Sequence, residues 1–342
     1  MPIYYVDPDV GVDTNDGLDV GAGHAWETLS KAMDTVAAGD TVYCHGTFNV
    51  QDGATGANAE ISTPGTVAAP ITIEGYSSTP GDGGEAIIDA TSSWNYAFLN
   101  AATVNLYYVF RNLRTRNTLS DSFRLPSCSY LLFEGCDVGN SGGRGVAAAG
   151  GVHVVDCAVH DIVGRGIEMT SNITLYNSDF YNCGGHAINI SSGVVQYCRA
   201  WGPTANLPLI NLYSLALGTV MHCTLDGGDA AGTPVASHGI YEQYNNGRVF
   251  AANNIIMNCG VGIGVITGAN GINAGGRNVL YGCTTKRANF PILPGDLDDV
   301  DPQFIDRSIR DYRLKYLSPA KGSGWFAGAT PPALVTSRRV FL

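Results

Sequence analysis

The chain reads as an all-β solenoid, one strand-and-turn unit wound about ten times into a rod. Three observations predict it. Short apolar runs recur in register: Phe133-Glu134-Gly135-Cys136-Asp137-Val138, then Val155-Asp156-Cys157-Ala158-Val159, then Tyr176-Asn177-Ser178-Asp179-Phe180. Cys136 and Cys157 are 21 residues apart, and so are Cys157 and Ser178; a fixed period of this length marks stacked repeats, each burying its apolar side on its neighbours. Each run is followed by a Gly-rich turn and a second short run, beginning Gly143-Arg144-Gly145-Val146, Gly164-Arg165-Gly166-Ile167 and Gly185-His186-Ala187-Ile188. The 44 glycines among 342 residues, without a collagen period, suit an architecture of many tight turns.

Composition narrows the partners. A net charge of -11 argues against nucleic acid, because phosphate binding needs clustered Lys and Arg. No apolar run approaches the ~18 residues of a membrane-spanning helix. The N-terminus lacks the basic and apolar regions of a secretory signal. Nine cysteines cannot all pair within the chain, and no CxxC or Cys/His metal spacing appears. Cys136, Cys157, Cys198 and Cys223 hold one place in successive repeats. Stacked on adjacent coils they would sit about 4.8 Å apart, wider than the ~3.8 Å between Cβ atoms of a disulfide. The expectation is a buried, reduced file.

Ile3-Tyr4-Tyr5-Val6 opens the chain as a strand. The acidic loop after it carries Asp13, Asn15 and Asp16, ending at Gly17. It has part of a calcium-loop pattern but is one residue short and lacks the late bidentate Glu; the alternative is a network of Asx turns. Trp26, Leu29, Met33, Val36 and Ala37 fall on one face at helical spacing, predicting a helix over Trp26–Ala38 stopped by Gly39. A solenoid exposes the apolar end of its first coil, and a short amphipathic helix there is a cap. Thr41-Val42-Tyr43-Cys44, Ile71-Thr72-Ile73-Glu74-Gly75 and Ile87-Ile88-Asp89 follow as strands. The expected division is 1–40 for strand, loop and capping helix, 41–284 for the coils and 285–342 for a closing segment, within one structural domain.

Several of these stretches resemble a known group. Tyr4-Tyr5-Val6-Asp7, Asn15-Asp16-Gly17, Ala25-Trp26-Glu27-Thr28-Leu29 and Ala38-Gly39-Asp40-Thr41-Val42-Tyr43 look like the opening of right-handed parallel β-helix proteins of the pectate-lyase-like superfamily. Asp301-Pro302-Gln303-Phe304, Asp311-Tyr312-Arg313-Leu314 and Ser318-Pro319-Ala320 are similar to their tail. The resemblance spans nearly the whole chain. It implies a single-stranded right-handed parallel β-helix with an N-terminal capping helix, and it marks the fold rather than an active site. Proteins of this kind in phage genomes further imply a virion-surface role of tail-spike or decoration type. The rod would bind host or environmental polysaccharide, trimerise, contact other virion proteins and reach the virion or the extracellular space without a signal peptide.

From Tyr107 to about Leu280 the first-run column is Leu113, Cys136, Cys157, Ser178, Cys198, Cys223, Asn254 and Asn278. The largest insertion, between Cys223 and Asn254, holds Asp226 and Asp229, which read as turn residues or as cation or sugar ligands. The pattern fades from Thr285 to Gly295. The second-run column places Arg144, Arg165, His186 and His238 at one edge of the rod, with Glu168, Asn189 and Tyr241 as the outward positions beside them and Glu242 and Tyr244 next to Tyr241. Asn206–Ile210 breaks the motif. This column reads as a polar, basic groove for an acidic or neutral glycan. Its substrate-binding candidates are Arg144, Arg165, Glu168, His186, Asn189, His238, Tyr241 and Glu242. Arg can neutralise a carboxylate bidentately, and His or Tyr can move a proton in β-elimination. That makes Arg165, His186, His238 and Tyr241 the candidates for a polysaccharide lyase. A ridge of Arg and His that only satisfies turn carbonyls is the third alternative, a structural solenoid without a ligand. No lysine stands in the central repeats to act as a lyase base. Glu168 and Glu242 are about three coils, roughly 14 Å, apart, too far for a hydrolytic pair. Trp94 and Trp201 are candidates for stacking on sugar rings. No cofactor is called for beyond the calcium option.

Overall fold

Every coil of the computed structural model repeats one path through three parallel sheets. The structure describes residues 1–49, 56–91, 93–100, 105–213, 217–244, 248–266, 273–321 and 323. In one coil Cys128–Glu134 lies in the first sheet, Asp137–Ser141 in the second and Val146–Ala148 in the third, and Gly151–Val155 then begins the next coil in the first sheet. The three sheets hold 11, 11 and 10 strands. Register holds for many coils: Val146, Ile167, Ile188, Ile210, Ile240 and Ile263 lie side by side along the third sheet. All six are buried, because side chains alternate in and out along each strand and one apolar position per coil stacks on the next. The core is therefore one continuous apolar file through the rod.

The corners explain the cysteine column. Asn112, Gly135, Asp156, Asn177, Tyr197, His222, Asn253 and Arg277 all take positive φ between the first and second sheets. The residue after each turns inward: Leu113, Cys136, Cys157, Ser178, Cys198, Cys223, Asn254 and Asn278 are all buried. All nine cysteines are free and buried. Polar members of the file replace lost backbone partners. Asn254 accepts from the Cys223 N–H at 3.0 Å and donates to the Val220 carbonyl at 2.9 Å. Asn278 repeats this toward Asn254 and Ala251. Asp296 accepts from the Asn278 N–H at 2.9 Å and is itself paired with Arg287 at 2.8 Å. A second file of this kind, at the corner between the second and third sheets, runs through Thr118, Ser141, Ile162, Cys183, Cys259 and Cys283, each preceded by a residue of positive φ.

The capping helix is shorter than its apolar spacing predicts, covering Leu29–Thr35. Thr28 caps it, accepting from the Lys31 N–H, and Val36 ends it in an extended conformation, so Gly39 lies beyond the stop. Trp26 instead bridges onto the first strand at Val6 and is stacked on Tyr4 at 4.7 Å. Asp13 anchors this start. One oxygen accepts from the Glu27 and Thr28 N–H groups and the other from the Thr28 hydroxyl, all within 2.9 Å.

At the far end the coils continue past the point where the pattern fades. Thr285–Ala288 pairs with Val261–Gly264 in the third sheet, and Leu297–Asp298 pairs with Val279–Leu280 in the second. A hairpin of Phe304–Asp306 and Asp311–Leu314 then folds back onto the outer face of the second sheet. It is held there by Asp226, which is 0% exposed. Arg307 donates to it at 2.7 and 2.8 Å, Arg310 at 3.0 Å, Tyr312 at 2.9 Å and Asn258 at 3.0 Å. Asp226 is thus an internal anchor, not a ligand of the inserted loop. Asp229 closes the turn of that loop on the Thr233 N–H.

Candidate functional site

The edge column of the third sheet assembles as its spacing requires. Arg144, Arg165, His186 and His238 each stand two residues before an inward residue of one register, at Val146, Ile167, Ile188 and Ile240. Pro208 holds the same place in the coil that breaks the motif. One step above Arg144 is Asp121, two residues before Phe123. Sequence reasoning missed it because no glycine pair flags that coil.

Asp121 changes the electrostatics of the groove. Arg144 grips its carboxylate through Nε at 3.0 Å and Nη2 at 2.7 Å, and reaches Glu168 through Nη1 at 2.6 Å. Arg165 meets the other oxygen of Glu168 at 2.6 Å, and Arg124 lies 3.3 Å from Asp121. Three guanidinium groups thus face two carboxylates. The groove is charge-paired internally rather than basic, and one positive charge is left over. The hydrogen bonds it donates to Asp121 hold Arg144 more firmly protonated than usual. Burial works against the Glu168 charge, but the two arginines outweigh it and hold the carboxyl below its ordinary range. Glu168 is a fixed anion and accepts hydrogen bonds. Arg165 has 43% of its side chain exposed and its pairing uses one terminal nitrogen, so it is the cation with donors to spare.

The lower half of the face is uncharged. Burial pushes the His186 imidazole below its usual range, with Arg165 adding to the shift, and burial alone does the same for His238. Both rings are neutral at pH 7. His186 Nδ1 lies 3.0 Å from the Pro208 carbonyl. A carbonyl only accepts, so Nδ1 carries the hydrogen and Nε2 keeps its lone pair. His238 packs on Tyr241 with ring centroids 4.5 Å apart. Between them lies a row of amides. Asn189 donates to Glu168 at 3.4 Å, and Asn211 donates to Asn189 at 2.8 Å and to Gln243 at 3.1 Å. Asn189 is 4% and Asn211 3% exposed although both point outward, so neighbouring side chains cover this row. Tyr213, next after Leu212, donates its hydroxyl to the Met169 carbonyl at 2.8 Å. Asn211 was not among the expected residues. Its signal is Ile210-Asn211-Leu212, an echo of Ile188-Asn189-Ile190 that survives after the glycine motif is lost.

Other expected roles fail for physical reasons. Glu242 does not face the groove. It aligns with Leu212 and Val265, which are buried, and is itself 1% exposed. One oxygen accepts from the Tyr244 N–H at 2.7 Å, the other has no partner among the described residues, and burial raises its pKa. The two-residue alternation from Ile240 required this inward direction. Trp94 is buried. Trp201 is stacked on Tyr181 at 4.7 Å and faces Tyr312 at 6.0 Å, so neither indole offers a free face. In the N-terminal loop Asn15 donates its amide to the Ala22 and Ala25 carbonyls, and Asp16 accepts from the Leu18 N–H. With Asp13 closed on residues 27 and 28, these three groups are spent on the turn network. Among the described residues no group of three or more His, Cys, Asp or Glu comes together to hold a metal ion. On the second sheet His160 lies between Asp137 and Asp161, 2.7 Å from each. Burial disfavours its charge but the two carboxylates outweigh that and raise its pKa. With both ring nitrogens engaged, it has no lone pair to act as a base.

Comparison with known proteins agrees with this architecture. Residues 101–284 match the family model described as a right handed beta helix region, and the chain belongs to that family. No curated protein matches it. Among solved structures it is similar to pectate lyase Pel9A, at 16% identity and a TM-score of 0.57 over 93% of this chain and 90% of that one. It is also similar to a rhamnogalacturonan lyase, at 13% identity and a TM-score of 0.51 over 96% of this chain and all of that one. At these identities the likeness is one of fold: a solenoid with the parallel-sheet architecture of pectate lyase.

Proposed function

We propose that the protein binds a polysaccharide lengthwise along the outer face of its third sheet, from Arg144 to Tyr241. The observation that carries this reading is the change of character along a single file of outward residues. Ordered, paired charges at Asp121, Arg144, Glu168 and Arg165 give way to neutral donors, acceptors and a ring at His186, Asn189, Asn211 and Tyr241. Consecutive coils advance about 4.8 Å, so an extended polymer meets new side chains at every coil. The names of the two structural neighbours, a pectate lyase and a rhamnogalacturonan lyase, support a glycan as the ligand class. On a glycan array, the double variant His186→Ala, His238→Ala binds more weakly than the parent at an unchanged melting temperature. Equal binding by the two removes this face from the account. The sequence resemblance to phage β-helix proteins supports presentation on a virion surface, as a trimer alongside other virion proteins. A monomer by light scattering speaks against that assembly.

One observation favours a second reading, a polysaccharide lyase. His186 is neutral with Nε2 free, and the Arg165 guanidinium is near enough to perturb it. In β-elimination Nε2 would take the proton beside a sugar carboxylate paired with Arg165. The electron pair left behind forms the new C=C bond, the bond to the glycosidic oxygen breaks, and that oxygen takes up a proton. Growth of ultraviolet absorbance on pectate, alginate or hyaluronan, lost in His186→Ala, supports this. No growth on any of the three counts against it.

A further inference from the structure

We infer that the protein has a second binding site, under the C-terminal hairpin, for a small hydroxylated carboxylate of the size of one sugar-acid unit. A hollow of about 410 Å³ opens between the second sheet, the inserted loop at Ala231–Gly232 and the hairpin. That volume lies within the ~300–1,000 Å³ of small-molecule sites. Met257 and Phe304 supply its apolar wall, and three polar residues line it from separate elements: Tyr281 from the second sheet, Gln303 from the stretch before the hairpin and Lys315 from just after it. None of the three side chains has a hydrogen-bond or ion-pair partner among the described residues.

The charges of the hollow select the ligand. Arg307 also lines it, but that guanidinium is committed to Asp226 and to the Asp229 carbonyl. The Lys315 ammonium is the cation left to meet an anion, and a carboxylate is its natural partner. Asp301 lines the hollow and keeps its carboxylate for acceptance, with one oxygen on the Gln303 N–H. Acceptors beside free donors suit hydroxyl groups, which both give and take hydrogen bonds. The half-buried Tyr281 ring and the apolar wall suit the carbon face of a sugar. The site is also braced. Asp226 ties Arg307, Arg310 and Tyr312 together behind it, so the two sides of the hollow stay in register without a ligand. These observations are separate from those on the third sheet, and the two sites stand or fall independently.

Titration calorimetry of the full chain with glucuronate and with glucose tests the inference. Glucuronate binds and glucose binds more weakly. Lys315→Gln weakens glucuronate by roughly tenfold or more, the loss of a charge-assisted hydrogen bond, and Tyr281→Phe weakens it to a smaller extent. Lys315 is exposed, so its variant keeps the parent's melting temperature. The inference is overturned if glucuronate does not bind, if glucose binds equally well, or if Lys315→Gln binds like the parent.

Discussion

Glu242 is a carboxyl group standing where the chain otherwise puts Leu212, Ile190 and Val265. Burial raises its pKa above the ordinary value, so the folded state holds this proton more tightly than the unfolded chain does. The stability linked to it is complete below the ordinary glutamate pKa of about 4.3 and is lost as pH rises through the raised value. Glu242→Gln, which cannot ionise, should flatten that decline. Melting curves from pH 4 to pH 8 should show the parent losing stability relative to the variant; parallel curves would mean the carboxyl is better solvated than its position implies. Glu168 has the opposite linkage. Its depressed pKa contributes stability above the ordinary value, and that contribution is lost as pH falls through the lowered one. Glu168→Gln also frees Arg144 and Arg165 from their shared partner. Partly exposed pairs are worth about 1 kcal/mol or less, so the variant should fold nearly as well as the parent while its glycan affinity changes. Unaltered affinity would show that Glu168 serves only the ridge.

The elements differ in what one residue can cost them. In the corner file Cys157→Ala removes a small apolar group, whereas Asn254→Ala strands the Cys223 N–H and the Val220 carbonyl inside the rod. At about 1–3 kcal/mol for each stranded buried group, Asn254→Ala should shift the urea midpoint well beyond Cys157→Ala. Equal shifts would mean that water replaces the amide. The hairpin rests on Asp226 in the same way. Asp226→Ala leaves Arg307 and Arg310 partly buried without their anion, a loss of about 3–5 kcal/mol when a buried pair is broken. Trypsin should then cut at those two arginines while the coils stay intact, and continued resistance would place the hairpin's hold elsewhere. The capping helix shows how propensity yields to context: Trp26 has helical spacing to Leu29 and Met33, yet it bridges to Val6, leaving a helix of two turns.

Across the whole molecule, what was legible followed from periodicity. A 21-residue step fixes which residues stack, so the inward Cys136–Asn278 file and the outward Arg144–His238 edge could both be placed from spacing alone. What spacing cannot convey is which charges meet. Asp121 lies one coil above the flagged motif, and its pairing with Arg144 turned an expected basic groove into a nearly balanced one. Nor does it reveal segments that return from far along the chain. Asp226 looked like a turn residue because its partners, Arg307, Arg310 and Tyr312, lie more than 80 positions later. Glu242 is a simpler case: it follows an outward tyrosine in the sequence, but strand alternation sends it inward. The central claim is that a glycan runs along the third sheet. The measurement that tests it most directly is a glycan array probed with the parent, with His186→Ala, His238→Ala and with Lys315→Gln. The account predicts polymer binding that falls in the double variant and persists in Lys315→Gln. Polymer binding untouched by the double variant, or no binding by the parent to any glycan, would contradict it.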